Sequence, residues 1–370
     1  MAPESPAPAM PAVIGRQPVL VTGGAGFVGA NLANRIAQDG HDVLVLDALA
    51  RPGVDRNLAW LRRRHPHRIS AVTADIRDEA AVAQTARDAQ AVFHLAAQVA
   101  VTTSMTDPVE DFGTNLRGTF LLLEALRRRG ANVPLLFAST NKVYGDLADI
   151  ALELDGDSYA PRNPYIRANG IGEDRHLNFH TPYGCSKGAA EQYVLDYARS
   201  FGLPAAVFRM SCIYGPRQMG TEDQGWVAHF LIRALRGESI TIFGDGRQVR
   251  DILFIDDAVA AYLAAWRRIA AVRGRAFNLG GGPANAVSLR RLIAFIGHLT
   301  GGHVETVQAD WRAGDQRYFV ADTRHAIAEL GLRLPMPWRS GVAVLARWLD
   351  EERGLGRHVA ASNRAVEALP

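Results

Sequence analysis

Tyr183 and Lys187 stand four residues apart in the stretch Thr181-Pro182-Tyr183-Gly184-Cys185-Ser186-Lys187. After Pro182 the chain reads as a helix through Ala189, Glu191, Tyr193 and Leu195. Both side chains therefore fall on one helix face, one turn apart, and can act on the same small molecule. A phenol has a pKa of about 10 and is a poor base at neutral pH. A neighbouring ammonium favours the phenolate and lowers that value. Lowering it by about three units takes roughly 4 kcal/mol, which calls for a second cation. Alone, the Tyr-x-x-x-Lys spacing is a weak signal, met equally by a half-buried tyrosine beside a solvated lysine. Its surroundings decide.

The elements that must position this pair alternate between strand and helix. Residues 18–22 form a short apolar strand that runs into Gly23-Gly24-Ala25-Gly26-Phe27-Val28-Gly29. Leu32, Ala33 and Ile36 then repeat at helical spacing, Gly40 ends that helix, and a second strand closes on Asp47. The glycines fit both G-x-G-x-x-G and G-x-x-G-x-x-G. Either way they let the backbone turn tightly and approach a pyrophosphate that rests on the helix N-terminus. A carboxylate at Asp47 takes ribose hydroxyls and repels a 2′-phosphate, which argues for NAD over NADP. Arg51, close by, weakens that argument slightly. The oxidised nicotinamide ring is then a candidate for the second cation that Tyr183 needs.

The alternation continues. A strand at 69–73 leads to Asp75-Ile76, well placed beside an adenine. A strand at 91–95 opens onto Leu95-Ala96-Ala97-Gln98, where small residues let a cofactor lie close. His94 within that strand reads as a structural histidine. Asp107-Pro108 begins a long helix with Val109, Phe112, Leu116, Leu123 and Leu126 expected on its core side. The strand at 135–138 ends at Ser139-Thr140-Asn141-Lys142-Val143-Tyr144-Gly145. This pattern predicts an α/β fold, a doubly wound parallel sheet of Rossmann type, with ligands at the carboxyl ends of the strands. Asp47, Asp75, Ala96 and Thr140 all fall there. Residues 146–181 show weak periodicity and read as a long functional loop. Past Tyr214-Gly215-Pro216-Arg217, short strands and helices suggest a smaller mixed α/β substrate-binding lobe. The expected organisation is a tail over 1–16, a dinucleotide-binding domain over 17–212 with later returns near 251–280, a lobe mainly over 213–355, and a tail over 356–370.

Composition narrows the class. The 370 residues are 48% hydrophobic and 21% charged, as in ordinary globular proteins. A formal net charge of +3 is too small to imply a nucleic-acid partner. Arg62-Arg63-Arg64 and Arg127-Arg128-Arg129 read as cations at helix C-termini, the second before a Gly130 cap. Two cysteines, Cys185 and Cys212, make neither a disulfide framework nor a metal site and fit a reducing cytoplasm. No apolar run reaches the roughly 18 residues a membrane span needs.

Thr22-Gly23-x-x-Gly26-x-x-Gly29, Asp47, Asp75-Ile76, His94-Leu95-Ala96-Ala97, Tyr183-x-x-x-Lys187, Tyr214-Gly215-Pro216 and Arg250-Asp251 together resemble the extended short-chain dehydrogenase/reductases that act on nucleotide sugars. Within that family, residues 139–146, 178–188 and 223–227 resemble the 2-epimerases of CDP-deoxyhexoses. The resemblance implies tightly held NAD, a nucleotide-diphosphate sugar as substrate and a homodimer paired through a helix bundle. It implies inversion of one sugar carbon, with a 4-epimerase as the alternative and a non-catalytic NAD-binding protein as a distant one. Thr140 would bond the substrate hydroxyl, Tyr183 take its proton, and Lys187 tune Tyr183 and hold the nicotinamide ribose. Gly23, Gly26, Phe27, Val28, Gly29, Asp47, Asp75, Ile76, Leu95, Ala96, Ala97 and Gln98 would line the cofactor. Asn141 and Lys142 stand where related dehydratases carry an acid–base pair, which an amide and an ammonium do not replace. Lys142 would contact substrate, with a solvated loop cation as the other reading. Arg217, Arg250 and Arg317 would meet the diphosphate and Asp315 the nucleotide ribose. Cys212 replaces an asparagine usual in the family, and Cys185 is expected to be a core thiol.

Overall fold

The computed structural model describes residues 17–354 apart from Ala131 and Ala313. The tails expected over 1–16 and 356–370 lie outside the described residues. The first half is built from β1 (Val19–Thr22), α1 (Phe27–Gln38), β2 (Val43–Asp47), α2 (Val54–Arg64), β3 (Ile69–Thr73), α3 (Glu79–Ala86), β4 (Ala91–His94) and β5 (Leu135–Thr140). Among the described residues, seven strands join in one parallel sheet. From one edge its order is Arg275–Leu279, Ala205–Met210, β5, β4, β1, β2, β3. The strands are apolar on both faces, as helix-covered parallel strands must be. Val19 and Val21 enter one core and Leu20 the other, so alternate side chains bind the two helix layers to the sheet.

Register brings the strand ends together. Thr22 pairs with His94, Asp47 with Thr73, and Thr140 with Met210. His94 is 1% exposed and hydrogen-bonded through Nδ1 to the Thr22 hydroxyl and through Nε2 to that of Thr119. Burial, with the charge of Lys187, brings it down to about 3. It is a neutral, structural histidine.

The helix expected from Asp107-Pro108 is α5 (Pro108–Phe112), a π-turn at Gly113–Arg117 and α6 (Gly118–Arg128), with α4 (Val101–Thr106) before it. Leu123 and Leu126 are buried, but Val109 and Phe112 are 79% and 55% exposed. The expectation for those two fails for a geometric reason. The π-turn, with its i→i+5 bonds, takes more residues per turn than an α-helix, so a helical stripe drawn through it loses phase. The stretch 146–181 is not a plain loop either. Strands Leu152–Asp155 and Ser158–Pro161 form a hairpin, followed by α7 (Pro164–Asn169). Leu147, Ile150 and Ile171 pack on Tyr144, Phe319 and Ala321. The turn residues Asp155-Gly156 were the available signal.

Beyond α8 (Thr181–Ser200), Cys212–Tyr214, Val249–Phe254, Ala286–Ser288 and Tyr318–Phe319 make a smaller mixed sheet. Ile240–Phe243 pairs with Thr306–Ala309. No helix among the described residues is long and apolar enough to cross a membrane.

Candidate active site

α8 starts on a strained residue. Thr181 has φ of +62°, a left-handed conformation that a β-branched side chain rarely adopts. Its hydroxyl accepts the Gly184 N–H at 3.3 Å, and the Tyr183 N–H donates to the Ser104 hydroxyl at 3.2 Å. These contacts fix the first turn of α8 beside the end of β5. There the Thr140 hydroxyl acts on the Tyr183 phenol and favours its ionised form. Thr140 in turn donates to Asn141 Oδ1 at 3.4 Å and accepts the Lys142 N–H at 3.2 Å.

Lys187 is 3% exposed, and its Nζ lies 4.3 Å from the centre of the Phe137 ring. Burial brings its amine down to about 7, opposed by the charges of Asp111 and Glu191. Burial pushes the Tyr183 phenol up to about 12, against the pull of Thr140. The phenol-lowering effect expected of Lys187 is therefore not met by this geometry alone. Loss of water penalises both charged forms, and the lysine cation is itself part-discharged.

Two supports escaped sequence reasoning. Asp111 is fully buried; its carboxylate accepts from Gln98 Nε2 at 2.9 Å, from Asn115 Nδ2 at 3.1 Å and from the Ser186 hydroxyl. Glu191, also fully buried, accepts from the Ser139 hydroxyl at 2.6 Å and from Arg209 Nη2 at 2.7 Å. Ser139 precedes Thr140, and Glu191 lies one turn after Lys187. Neither carboxylate belongs to a local motif; Glu191 four residues past Lys187 was the one legible hint.

The glycine turn fits a closely approached dinucleotide. Gly23 has φ of +68°, and a Cβ there would meet Ala96 N at 2.7 Å. A Cβ at Gly29 would meet Gly23 O at 2.2 Å. The turn thus packs on Leu95-Ala96 and leads into Phe27, Val28 and Gly29 at the start of α1, whose first N–H groups lack helical partners. Gly26 is the residue before α1. Asp47 Oδ2 accepts the Ala25 N–H and Oδ1 the Leu49 N–H, each at 2.9 Å, which places the carboxylate beside the turn. Asn57 braces it by donating to Ala25 O at 3.2 Å.

Other cofactor expectations are met differently. The Asp75 carboxylate is bound by Arg77 on both oxygens and held below its usual range by that contact. Ile76 is a core side chain packed against Gly118. Gln98 is turned inward to Asp111 and Ala100, while Ala97 stays part-exposed beside it.

On the substrate side the structure brings together Lys142, Arg250, Asp315 and Cys212. Arg250 pairs with Asp315 at 2.6 Å, and Lys142 Nζ donates to Gly314 O at 3.2 Å. Burial, then Arg250, brings Lys142 down to about 8, with Asp315 opposing. It is not a solvated loop cation, and its charge is not fixed. Cys212 is part-exposed, and its thiol is pushed up by desolvation, with Arg250 and Trp226 opposing. Arg217 does not join this group. Its φ of +74° turns the guanidinium between Trp60 at 4.3 Å and Trp348 at 5.3 Å, with Glu352 at 3.7 Å. Arg317 is exposed, near the rings of Trp311 and Tyr159. Cys185 is exposed on the outer face of α8, not a core thiol.

Comparison with known proteins agrees with this geometry. The family model described as GDP-mannose 4,6 dehydratase matches residues 20–343. The chain is 40% identical to the CDP-paratose 2-epimerase of Salmonella typhi over 89% of its length and 98% of that protein. It is 33% identical to the UDP-glucose 4-epimerase of Mycolicibacterium smegmatis, over 88% and 96% of the two chains. The crystal structure of the Thermus thermophilus UDP-glucose 4-epimerase in complex with NAD superposes with a TM-score of 0.75, at 30% identity, covering 89% and 98%. The chain belongs to the GDP-mannose 4,6 dehydratase family of extended short-chain dehydrogenase/reductases.

Proposed function

We propose that this protein is an NAD-dependent nucleotide-sugar epimerase that inverts C2 of a CDP-deoxyhexose. The observation that carries the reading is the meeting of the Tyr183 phenol, on which the Thr140 hydroxyl acts, with buried Lys187 one turn along α8, at the open ends of β1, β4 and β5. The similarity to the Salmonella 2-epimerase supports the choice of carbon and nucleotide. When bound, NAD would supply a reversible hydride acceptor for the sugar carbon. Gly23, Gly26 and Gly29 would seat its pyrophosphate, and Asp47 would take the adenosine ribose hydroxyls. Residues 17–212 would supply that seat, and 213–355 most of the sugar-nucleotide contacts.

The chain's own residues then move one proton. Thr140 holds the sugar hydroxyl in line with the Tyr183 phenol oxygen. Tyr183 takes the hydroxyl proton in the oxidative direction and returns it in the reductive one. Lys187, whose charge Asp111 and Glu191 favour, stabilises the phenolate by its remaining charge. Arg250 and Lys142 would neutralise the diphosphate. Asn141 cannot act as an acid, so elimination of water lacks its proton donor and epimerisation is favoured over dehydration.

A 4-epimerase is the second reading, favoured by the Mycolicibacterium and Thermus relatives. Incubation with CDP-, UDP-, GDP- and dTDP-sugars, followed by NMR, separates the two. Inversion at C2 of a CDP-deoxyhexose is expected; inversion at C4 with C2 untouched overturns the proposal. The exposed Met105, Val109, Phe112 and Phe120 on α4–α6, with Tyr193 on α8, support pairing as a homodimer through these helices. Free cysteines are consistent with a cytoplasmic location.

A further inference from the structure

Helix α5 is turned inside out. Of its five residues, Val109 and Phe112 are 79% and 55% exposed, and Asp111 is the buried one, at 0%. Burying a carboxylate is costly unless it is compensated. Neutral donors compensate it in part. Gln98 Nε2 at 2.9 Å and Asn115 Nδ2 at 3.1 Å meet Oδ1, and the Ser186 hydroxyl meets Oδ2. They come from the loop after β4, the π-turn and α8. Donors on both oxygens favour the ionised carboxylate. Among the described residues no cation is in contact with it; the charge that acts on it is that of Lys187, next to Ser186 on α8. Glu191 is the other carboxylate that acts on Lys187. It is held by Arg209 through Nε at 2.9 Å and Nη2 at 2.7 Å, so that pair is neutral overall. His94, on β4, is neutral too. Around Lys187 the uncompensated negative charge is therefore that of Asp111.

We propose that Asp111 is a positioning residue for the proton transfer, the counter-ion that keeps Lys187 a cation beside Tyr183. This rests on the epimerase reading, in which Lys187 serves Tyr183 by its charge. The two buried carboxylates then divide the work: Glu191 neutralises Arg209, and Asp111 neutralises Lys187. The bonds from Gln98, Asn115 and Ser186 fix where the charge sits. The Ser186 bond ties it to the helix that carries both Tyr183 and Lys187. Burial alone drives Lys187 towards the neutral amine, and Asp111 opposes that. With an asparagine at 111 the size and an acceptor oxygen remain, but the charge is gone. A glutamate keeps the charge and adds one methylene to a packed site.

The test reads Lys187 directly. The chain has two lysines, Lys142 and Lys187, so lysine labelled isotopically at Cε gives two NMR signals, and Lys142→Arg assigns them. The full-length protein is titrated without added cofactor. Wild type should show a Lys187 midpoint at about 7. Asp111→Asn should lower that midpoint by about one unit or more, as loss of an opposite charge does. Asp111→Glu should bring most of it back. Glu191→Leu with Arg209→Met removes a neutral pair and should move the midpoint by less than about half a unit. A midpoint unmoved in Asp111→Asn, or moved as far in the double variant, would overturn the proposal. The double variant decides by itself if Asp111→Asn does not fold. In turnover, the alkaline limb of kcat should move to lower pH in Asp111→Asn by a similar shift, with KM for the sugar within about twofold of wild type. An unmoved limb would overturn the role in proton transfer. The titration needs no turnover, so its failure leaves the epimerase reading standing, and a wild type that inverts no sugar sinks that reading alone.

Discussion

Lys187 Nζ lies 4.3 Å from the centre of the Phe137 ring, while Glu191, one turn further along α8, is locked to Arg209. The lysine thus lies over an aromatic face, out of water and in the field of that fixed carboxylate. Its charge depends on the surrounding site, and the same burial lifts the Tyr183 phenol to about 12.

A pH signature follows from this burial. Burial brings the Lys187 amine down to about 7 in the folded protein, from an ordinary value of 10.5. Between these values the unfolded chain binds a proton that the folded chain does not, so this lysine's contribution to stability rises with pH. It is lost as pH falls from about 10.5 to about 7 and changes little below. Lys187→Met should remove that slope. Melting temperatures of variant and wild type, without added cofactor, should converge towards pH 10 and separate in the variant's favour towards pH 7. Parallel curves would contradict the assignment.

The Glu191–Arg209 pair is a buried ion pair, with side chains 0% and 7% exposed. Removing one partner strands the other charge. Glu191→Ala should cost about 3–5 kcal/mol in urea unfolding, and Glu191→Leu with Arg209→Met should recover much of that. A loss below about 1 kcal/mol for the single variant would mean that water reaches Arg209.

At Gly29 a methyl group would lie 2.2 Å from Gly23 O, a backbone atom that moves only if the whole turn moves. Gly29→Ala should therefore weaken NAD binding at least about tenfold by calorimetry, while overpacking costs about 1–3 kcal/mol of stability. Unchanged affinity would place the pyrophosphate away from this turn.

Legibility tracked locality. The glycine turn, Asp47 and the Tyr183–Lys187 pair are short-range patterns, and β1, β2, β4 and β5 each carry an unbroken apolar run. Thr140 was legible because it ends such a run. Asp111, Asn115, Ser139 and Glu191 were not, because their bonds form only when α5, the π-turn, β5 and α8 pack together. Arg217 was misplaced because nothing in Tyr-Gly-Pro-Arg announces a positive φ, which swings the side chain to α2. Val109 and Phe112 were misplaced because an ideal helical period was carried through the π-turn. Cys185 was read one face out on α8, where its neighbours Gly184 and Ser186 are the buried ones.

The central claim is a hydride removed from one sugar carbon and given back to that carbon. A CDP-deoxyhexose carrying deuterium at C2 tests it directly, epimerised in ordinary water and read by NMR and mass spectrometry. The expected product has inverted C2 and keeps its deuterium, and Tyr183→Phe should slow its formation by about a hundredfold or more. Loss of the deuterium to solvent during inversion would mean that the carbon is deprotonated and not oxidised, and would contradict the roles assigned to NAD, Thr140 and Tyr183.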